Sequence, residues 1–307
     1  MPLGYAELER FYEGLVNRAQ AQGITCAITS GMACVAFGVA QTTKDCDVLC
    51  VPEAAERLLT LLSSTEFAGA LPGYRGHITP PMDARWLRGG WTSHFVWKTG
   101  HTEAFLDIFG VAPRASSPWY AEFSGLYVGQ HTVAEMKRTD REKDWPFATA
   151  LGVKLLEAGD ERGWLHIFNY EVLVGVAERL SCPPEMVDRR PALGLLVAND
   201  ERLEMALKAE MEFWHRLDKV RMRVYERAVR PYMLAVKRDV QSDAPQLLVQ
   251  HAARVEHAER LLAQNPLRDY GLERLMAEAR EQAARFLPPG SLEWLPDARG
   301  SFIGLAP

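Results

Sequence analysis

Apolar residues recur at helical spacing through Leu8, Phe11, Tyr12, Leu15, Val16 and Ala19, which predicts an amphipathic opening helix. The period then shortens. Ile24 to Thr29 reads as a short buried strand, Ser30-Gly31 breaks it, and Met32 to Phe37 reads as the first turns of a helix. A second strand runs to Cys50, and Pro52 opens a helix with Ala55, Leu58, Leu59 and Leu62 on one face. Residues 68 to 92, rich in Gly and Pro, show neither period and read as a long connection, either a substrate-side flap or a plain surface excursion. Ser93 to Lys98 and Thr102 to Phe109 predict two strands joined across Thr99-Gly100-His101, with a last short strand at 125 to 130 and a short helix from Val133 to Thr139. Beyond Trp145 the pattern is helical: 147–157, 164–179, 199–240, 245–264 and 270–286. The expectation is an α/β (α+β) fold. A mixed sheet flanked by helices occupies 1–158, and an all-helical part, 159–307, ends in an irregular tail from Leu287.

Within this pattern three carboxylates interrupt apolar runs. Asp45 and Asp47 lie in Thr43-Lys44-Asp45-Cys46-Asp47-Val48-Leu49-Cys50, and Asp107 lies in Phe105-Leu106-Asp107-Ile108-Phe109. Successive strand residues face opposite ways, so Asp45 and Asp47 share one face and Cys46, Val48 and Cys50 the other. Like charges side by side in an apolar setting call for a cation, and hard oxygen ligands suit Mg²⁺ better than zinc. The hairpin places Asp107 on a strand neighbouring that of Asp45 and Asp47, with Glu103 on the same face as Asp107. A small Ser30-Gly31 turn at a helix start would let backbone N–H groups approach a phosphate.

The stretch from Ser30 to Leu49 resembles the nucleotidyltransferase superfamily that includes the minimal nucleotidyltransferases and the AbiEii-type toxins. That pattern is a Gly-Gly or Gly-Ser turn opening a helix, a Gly about seven residues on, then Arg-x-Thr-x-Asp-x-Asp. Here it reads Ser30-Gly31-Met32-Ala33, Gly38, then Gln41-Thr42-Thr43-Lys44-Asp45-Cys46-Asp47. Ser30 replaces the first Gly, and Gln41 stands where Arg is common. Asp107 matches the family's third carboxylate, and Lys137 with Arg141-Glu142-Lys143-Asp144 resembles its downstream basic run. The resemblance, over residues 20 to 155, implies a nucleotidyltransferase-type sheet and transfer of an NMP from an NTP to an acceptor hydroxyl on RNA, protein or a small molecule. It implies two Mg²⁺ ions at Asp45, Asp47 and Asp107, which are also the catalytic set, and nucleotide contacts from Ser30, Gly31, Thr43, Lys44 and Lys137. A toxin-like role would bring an antitoxin partner. A chain of this fold that binds nucleotide or a partner without turnover is the alternative.

Composition narrows the setting. The chain has 307 residues, 48% hydrophobic and 24% charged, enough for two cores, and a net charge of −5 gives no global sign of nucleic-acid binding. No membrane-length apolar run and no signal-like start are present, so a cytoplasmic protein is expected, alone or as a homo-oligomer. The odd cysteine count, Cys26, Cys34, Cys46, Cys50 and Cys182, fits buried thiols; a zinc site at Cys46 and Cys50 would lack a second ligand pair. Locally, Arg216 to Arg238 holds eight basic residues against two acids, interleaved with Trp214, Tyr225 and Tyr232. Such a helix either contacts RNA or is a solvated, acid-paired face. Arg138, Arg141 and Glu142 read as a solvated charge run, whereas Lys137 or Lys143 would meet a triphosphate and Asp144 would orient one of them.

Overall fold

A computed structural model describes residues 4–100 and 102–302. The expected turn residue His101 and the chain ends, 1–3 and 303–307, lie outside the described residues. A seven-stranded mixed sheet runs in the order β3-β4-β5-β2-β1-β7-β6. Its strands are β1 (Cys26–Thr29), β2 (Cys46–Cys50), β3 (Pro72–Tyr74), β4 (Thr92–Thr99), β5 (Thr102–Phe109), β6 (Phe123–Ser124) and β7 (Tyr127–Val128). Helices α1 (Tyr5–Ala21), α2 (Ser30–Ala36), α3 (Ala55–Ser63), α4 (Ala84–Arg88), α5 (Gln130–Met136) and α6 (Trp145–Glu157) surround it. The α-helices that follow are α7 (Tyr170–Ala177), α8 (Pro184–Arg189), α9 (Ala192–Val197), α10 (Leu203–Arg238), α11 (Leu247–Leu261), α12 (Pro266–Tyr270) and α13 (Leu272–Ala284).

Strand alternation divides the sheet's two faces as expected. Cys46, Val48, Leu106, Ile108, Phe95 and Trp97 pack into a core with α1 and α3. Leu49 and Phe109 join a second cluster with Val133 and Ala134 of α5 and Leu151 of α6. Asp47 and Asp107 have the parity of that second face. The five cysteines are free thiols, and Cys26, Cys34, Cys46 and Cys50 are buried.

The region from 68 to 92 is not the plain connection expected. It contains β3 and α4, which the residue pattern hides because each spans five residues or fewer. The β3 edge is closed by the helical part: the Tyr74 N–H donates to Gln250 Oε1 at 2.8 Å, and Arg254 Nη1 donates to the Thr79 carbonyl at 3.1 Å. An unpaired sheet edge is thereby covered. One core cluster likewise joins Trp86, Trp91 and Trp145 to residues of α10, α12 and α13, so apolar packing continues across the 158–163 segment.

Helix α10 carries the basic segment, and its aromatics anchor it. Trp214, Tyr225 and Tyr232 are buried, with the Tyr225 hydroxyl donating to the Gly89 carbonyl and that of Tyr232 to the Thr79 carbonyl. They offer no faces for base stacking. Arg216, Arg221 and Arg223 pair with Glu212, Asp218 and Glu278, while Arg227, Arg230, Lys237 and Arg238 remain exposed. No described helix is long and apolar enough to cross a membrane.

A buried ion pair ties α10 to the sheet half. Arg114 Nη1 and Arg221 Nη2 lie 2.5 and 2.9 Å from Asp218 Oδ1, and the Asp140 N–H donates to Oδ2 at 3.1 Å. Burial alone would raise the Asp218 pKa, but the two guanidiniums outweigh it and hold it at about 2. Asp218→Asn, which leaves Arg114 buried without its counter-charge, is expected to cost about 3 kcal/mol at pH 7 in urea unfolding. Because the folded pKa is depressed, the contribution of ionised Asp218 exists above the unfolded value of 3.8 and fades as pH falls toward 2. The gap between wild type and variant should therefore narrow over that window; a constant gap would refute the assignment.

Candidate active site

Register across the sheet builds a polar row on one face. Thr29 of β1 pairs with Asp47 of β2, Asp47 with Asp107 of β5, and Asp107 with His94 of β4. Arg75, just past β3, extends the row: its N–H donates to the His94 carbonyl at 2.9 Å. Arg75 Nη2 reaches the two Asp107 oxygens at 2.7 and 3.1 Å, and His94 Nδ1 lies 2.8 Å from Asp107 Oδ1. The neighbouring strand placed Asp107 where the sequence expected it. Arg75 and His94 were not expected. For His94 a signal existed, since folding the hairpin about Gly100-His101 sets it opposite Asp107; for Arg75, in a segment without periodicity, there was none.

Asp45 lies not in β2 but in the bend immediately before it, exposed, with the Thr43 hydroxyl donating to its Oδ1 at 3.1 Å. Thr43 also fixes the turn that opens α2. A Cβ at Gly31 would sit 2.6 Å from Thr43 Oγ1 and 3.1 Å from Thr43 Cβ, so only glycine lets the two segments approach this closely. Ser30 beside it has φ +53°, a left-handed conformation that favours glycine and costs other residues about 1–2 kcal/mol. Lys44 is exposed.

Lys137, at the end of α5, is buried. Its Nζ is 3.4 Å from Ser30 Oγ, to which it donates, and 3.4 Å from Asp144 Oδ1. Asp144 is itself held by the Thr139 hydroxyl at 2.7 Å and Arg141 Nη2 at 2.7 Å, so of the two expected lysines it orients Lys137 while Lys143 stays exposed. Arg138 is not part of a solvated run; it is buried on the far side of α5. Glu103 sits exposed at the hairpin end, with Lys98 at 3.9 Å, away from the row.

Burial, followed by the charges of Asp107 and Asp45, pushes the Asp47 pKa up to about 7, against the Ser30 hydroxyl and Lys137, which pull it down. A carboxyl strained in this way is one that a cation would relieve. Among the described residues no three His, Cys, Asp or Glu side chains are assembled as a metal cage, and Asp107 is engaged by Arg75. Asp45 and Asp47 nonetheless offer the hard oxygen donors that magnesium takes. A cavity of about 1020 Å³, lined by Val39, Trp145, Phe168 and Met211 among others, does not include the carboxylates. Comparison with family models, with curated proteins and with solved structures finds no match for this chain.

Proposed function

We propose that the protein is a magnesium-dependent nucleotidyltransferase that moves an NMP from an NTP to an acceptor hydroxyl. The observation that carries this reading is the direct register of Asp47 with Asp107 on adjacent parallel strands, with Asp45 at the strand entrance. The left-handed Ser30 supports it as well, because the resembling family carries glycine at that turn. Asp45 and Asp47 would hold magnesium, which supplies charge neutralisation for a triphosphate and its leaving pyrophosphate.

The chain's own groups do the rest. Lys137, aimed at Ser30 and oriented by Asp144, is a buried positive charge for the phosphates. Thr43 and Gly31 keep the turn and the strand entrance together. Asp107, held by His94 at 2.8 Å and by Arg75 at 2.7 Å, would take the acceptor hydroxyl's proton. An acceptor on RNA, protein or a small molecule is compatible with the site, as is a toxin-like role with an antitoxin.

The Arg75–Asp107 pair favours a second reading, a nucleotide-binding protein without turnover in which Arg75 permanently occupies the third carboxylate. The test is incubation with Mg²⁺, each radiolabelled NTP, and total cellular RNA, protein and small-molecule extract, beside Asp45→Asn, Asp107→Asn and Arg75→Ala. Label transfer lost in both aspartate variants supports the enzyme. No transfer by the wild type or by Arg75→Ala overturns it.

A further inference from the structure

The charges of α10 divide near its middle. In the first part Arg216, Arg221 and Arg223 each meet a carboxylate, Glu212 at 2.6 Å, Asp218 at 2.9 Å and Glu278 at 2.9 Å. Past Tyr225 the pairing stops. Arg227, Arg230, Lys237 and Arg238 are exposed, and none has an ion-pair or hydrogen-bond partner among the described residues. Glu226 is the one acid on this part of the helix, and Asp239 and Asp243, just beyond its end, are met by His257 and His77. A solvated helix face commonly alternates or pairs its charges, as the first part of α10 does. The second part does not.

Helical geometry gathers these cations. With about 100° between successive residues, Arg227, Arg230, Leu234, Lys237 and Arg238 fall within about 100° of the circumference. At about 1.5 Å per residue the stripe runs roughly 16 Å along the axis. Its direction is fixed from behind: Tyr225, Val229, Tyr232 and Val236 occupy the opposite face and are buried in the core. The Tyr225 and Tyr232 hydroxyls donate to the Gly89 and Thr79 carbonyls at 2.8 Å each, which stops the helix from turning about its axis. The stripe therefore faces outward.

Like charges a turn apart repel, so an unpaired stripe is relieved by a partner of opposite sign. Three of the four cations are arginines, whose planar fork matches phosphate oxygens. A nucleic-acid duplex carries one negative charge per about 1.7 Å of its axis, so a stripe of this length lies against roughly nine of them. Binding of an unpaired strand uses aromatic platforms, and Trp214, Tyr225 and Tyr232 are buried, which leaves the backbone of a duplex as the better fit. A lipid surface calls for a broad apolar face, whereas Leu234 is the only large apolar side chain within the stripe.

We infer that the C-terminal part of α10 is a docking surface for the phosphate backbone of a nucleic-acid duplex, contacted by Arg227, Arg230, Lys237 and Arg238 without base readout. The surface is separate from the carboxylate row and does not rest on the catalytic reading. Fluorescence anisotropy of a labelled RNA duplex of about 20 base pairs, and of a DNA duplex of the same sequence, titrated with the full chain in 50–200 mM KCl, tests it and distinguishes the two sources. Saturable binding of one or both is expected, with log K falling against log salt at a slope of about −3 to −4. Arg227→Gln/Arg230→Gln and Lys237→Gln/Arg238→Gln should each lower the magnitude of that slope by about 2. Arg10→Gln/Arg179→Gln, on α1 and beside α7, removes the same charge elsewhere and should leave it unchanged. All six positions are exposed, so the variants keep the fold, which circular dichroism checks. Absence of saturable binding to both duplexes at 50 mM KCl, a slope unaltered in both stripe variants, or a slope lowered as much by the Arg10/Arg179 variant overturns the proposal; so does binding to vesicles of anionic phospholipid in the absence of binding to either duplex.

Discussion

Asp47→Asn is expected to stabilise the metal-free protein at pH 8 and, on the proposed function, to remove nucleotidyl transfer. In the folded chain the Asp47 carboxyl keeps its proton up to about pH 7, whereas in the unfolded chain it releases it near 3.8. Between those values the folded state carries the extra proton. Stability therefore falls as pH rises through the window, and the full cost is present above about 7. Each pKa unit corresponds to about 1.4 kcal/mol, so asparagine should gain roughly 2–4 kcal/mol at pH 8 and almost nothing at pH 4. Urea midpoints at the two pH values measure this. Magnesium should act in the opposite sense, stabilising the wild type by about 1.4 kcal/mol at tenfold above its Kd and leaving the variant unmoved. Transfer should drop roughly 10³-fold, as loss of a main electrostatic group in an active site commonly gives. A variant that is less stable at pH 8, or that still responds to magnesium, would remove Asp47 from the proposed metal site.

Gly89→Ala should be among the most destabilising single changes in this chain. A Cβ at Gly89 would lie 1.6 Å from the Gln264 carbonyl oxygen and 2.6 Å from its carbon. Both are backbone atoms, so no side-chain rotation relieves the clash. The same junction carries the Trp86 and Trp91 indole N–H groups, which donate to the carbonyls of Leu262 and Ala263, and the Gly89 carbonyl, which accepts from Tyr225. Forcing α4 away from the segment after α11 would loosen all of these and expose two buried tryptophans. A loss of about 3 kcal/mol or more is expected, with a Tm lower by roughly 10 °C. Gly175→Ala is the control: it lies in α7 with open space around its Cβ and should be neutral or slightly stabilising. Similar Tm values for the two variants would refute the close-approach argument.

The periods along the chain were enough to read much of the fold. Alternation in 46–50 and 102–109 put Cys46, Val48, Cys50, Leu106 and Ile108 on one face and Asp47 and Asp107 on the other, because a strand has only two faces. The helical repeat located α1, α3, α6, α10, α11 and α13 to within a few residues of their observed ends. Short elements escaped it. β3, α4, α8, α9 and α12 have six residues or fewer, less than two full helical turns, and too few to establish a period.

What sequence periodicity cannot supply is which charge meets which. Asp45, Asp47 and Asp107 were legible as acids interrupting apolar strands, since that costs energy wherever the strands go. Arg75 was not, because only pairing of β3 with β4 carries it to Asp107. Arg138 and the aromatics of α10 mark the same limit. A basic residue in a charged run and an aromatic on a long helix look solvent-facing in one dimension. Their burial follows from the packing of α10 against α11, α12 and α13, of Arg138, just past α5, over the Trp214 ring, and of α4 against the segment after α11. Local spacing thus determined the four central strands β1, β2, β4 and β5, the long helices and the acid-bearing face. Register and helix packing, which join residues far apart in the chain, decided the company each charged group keeps.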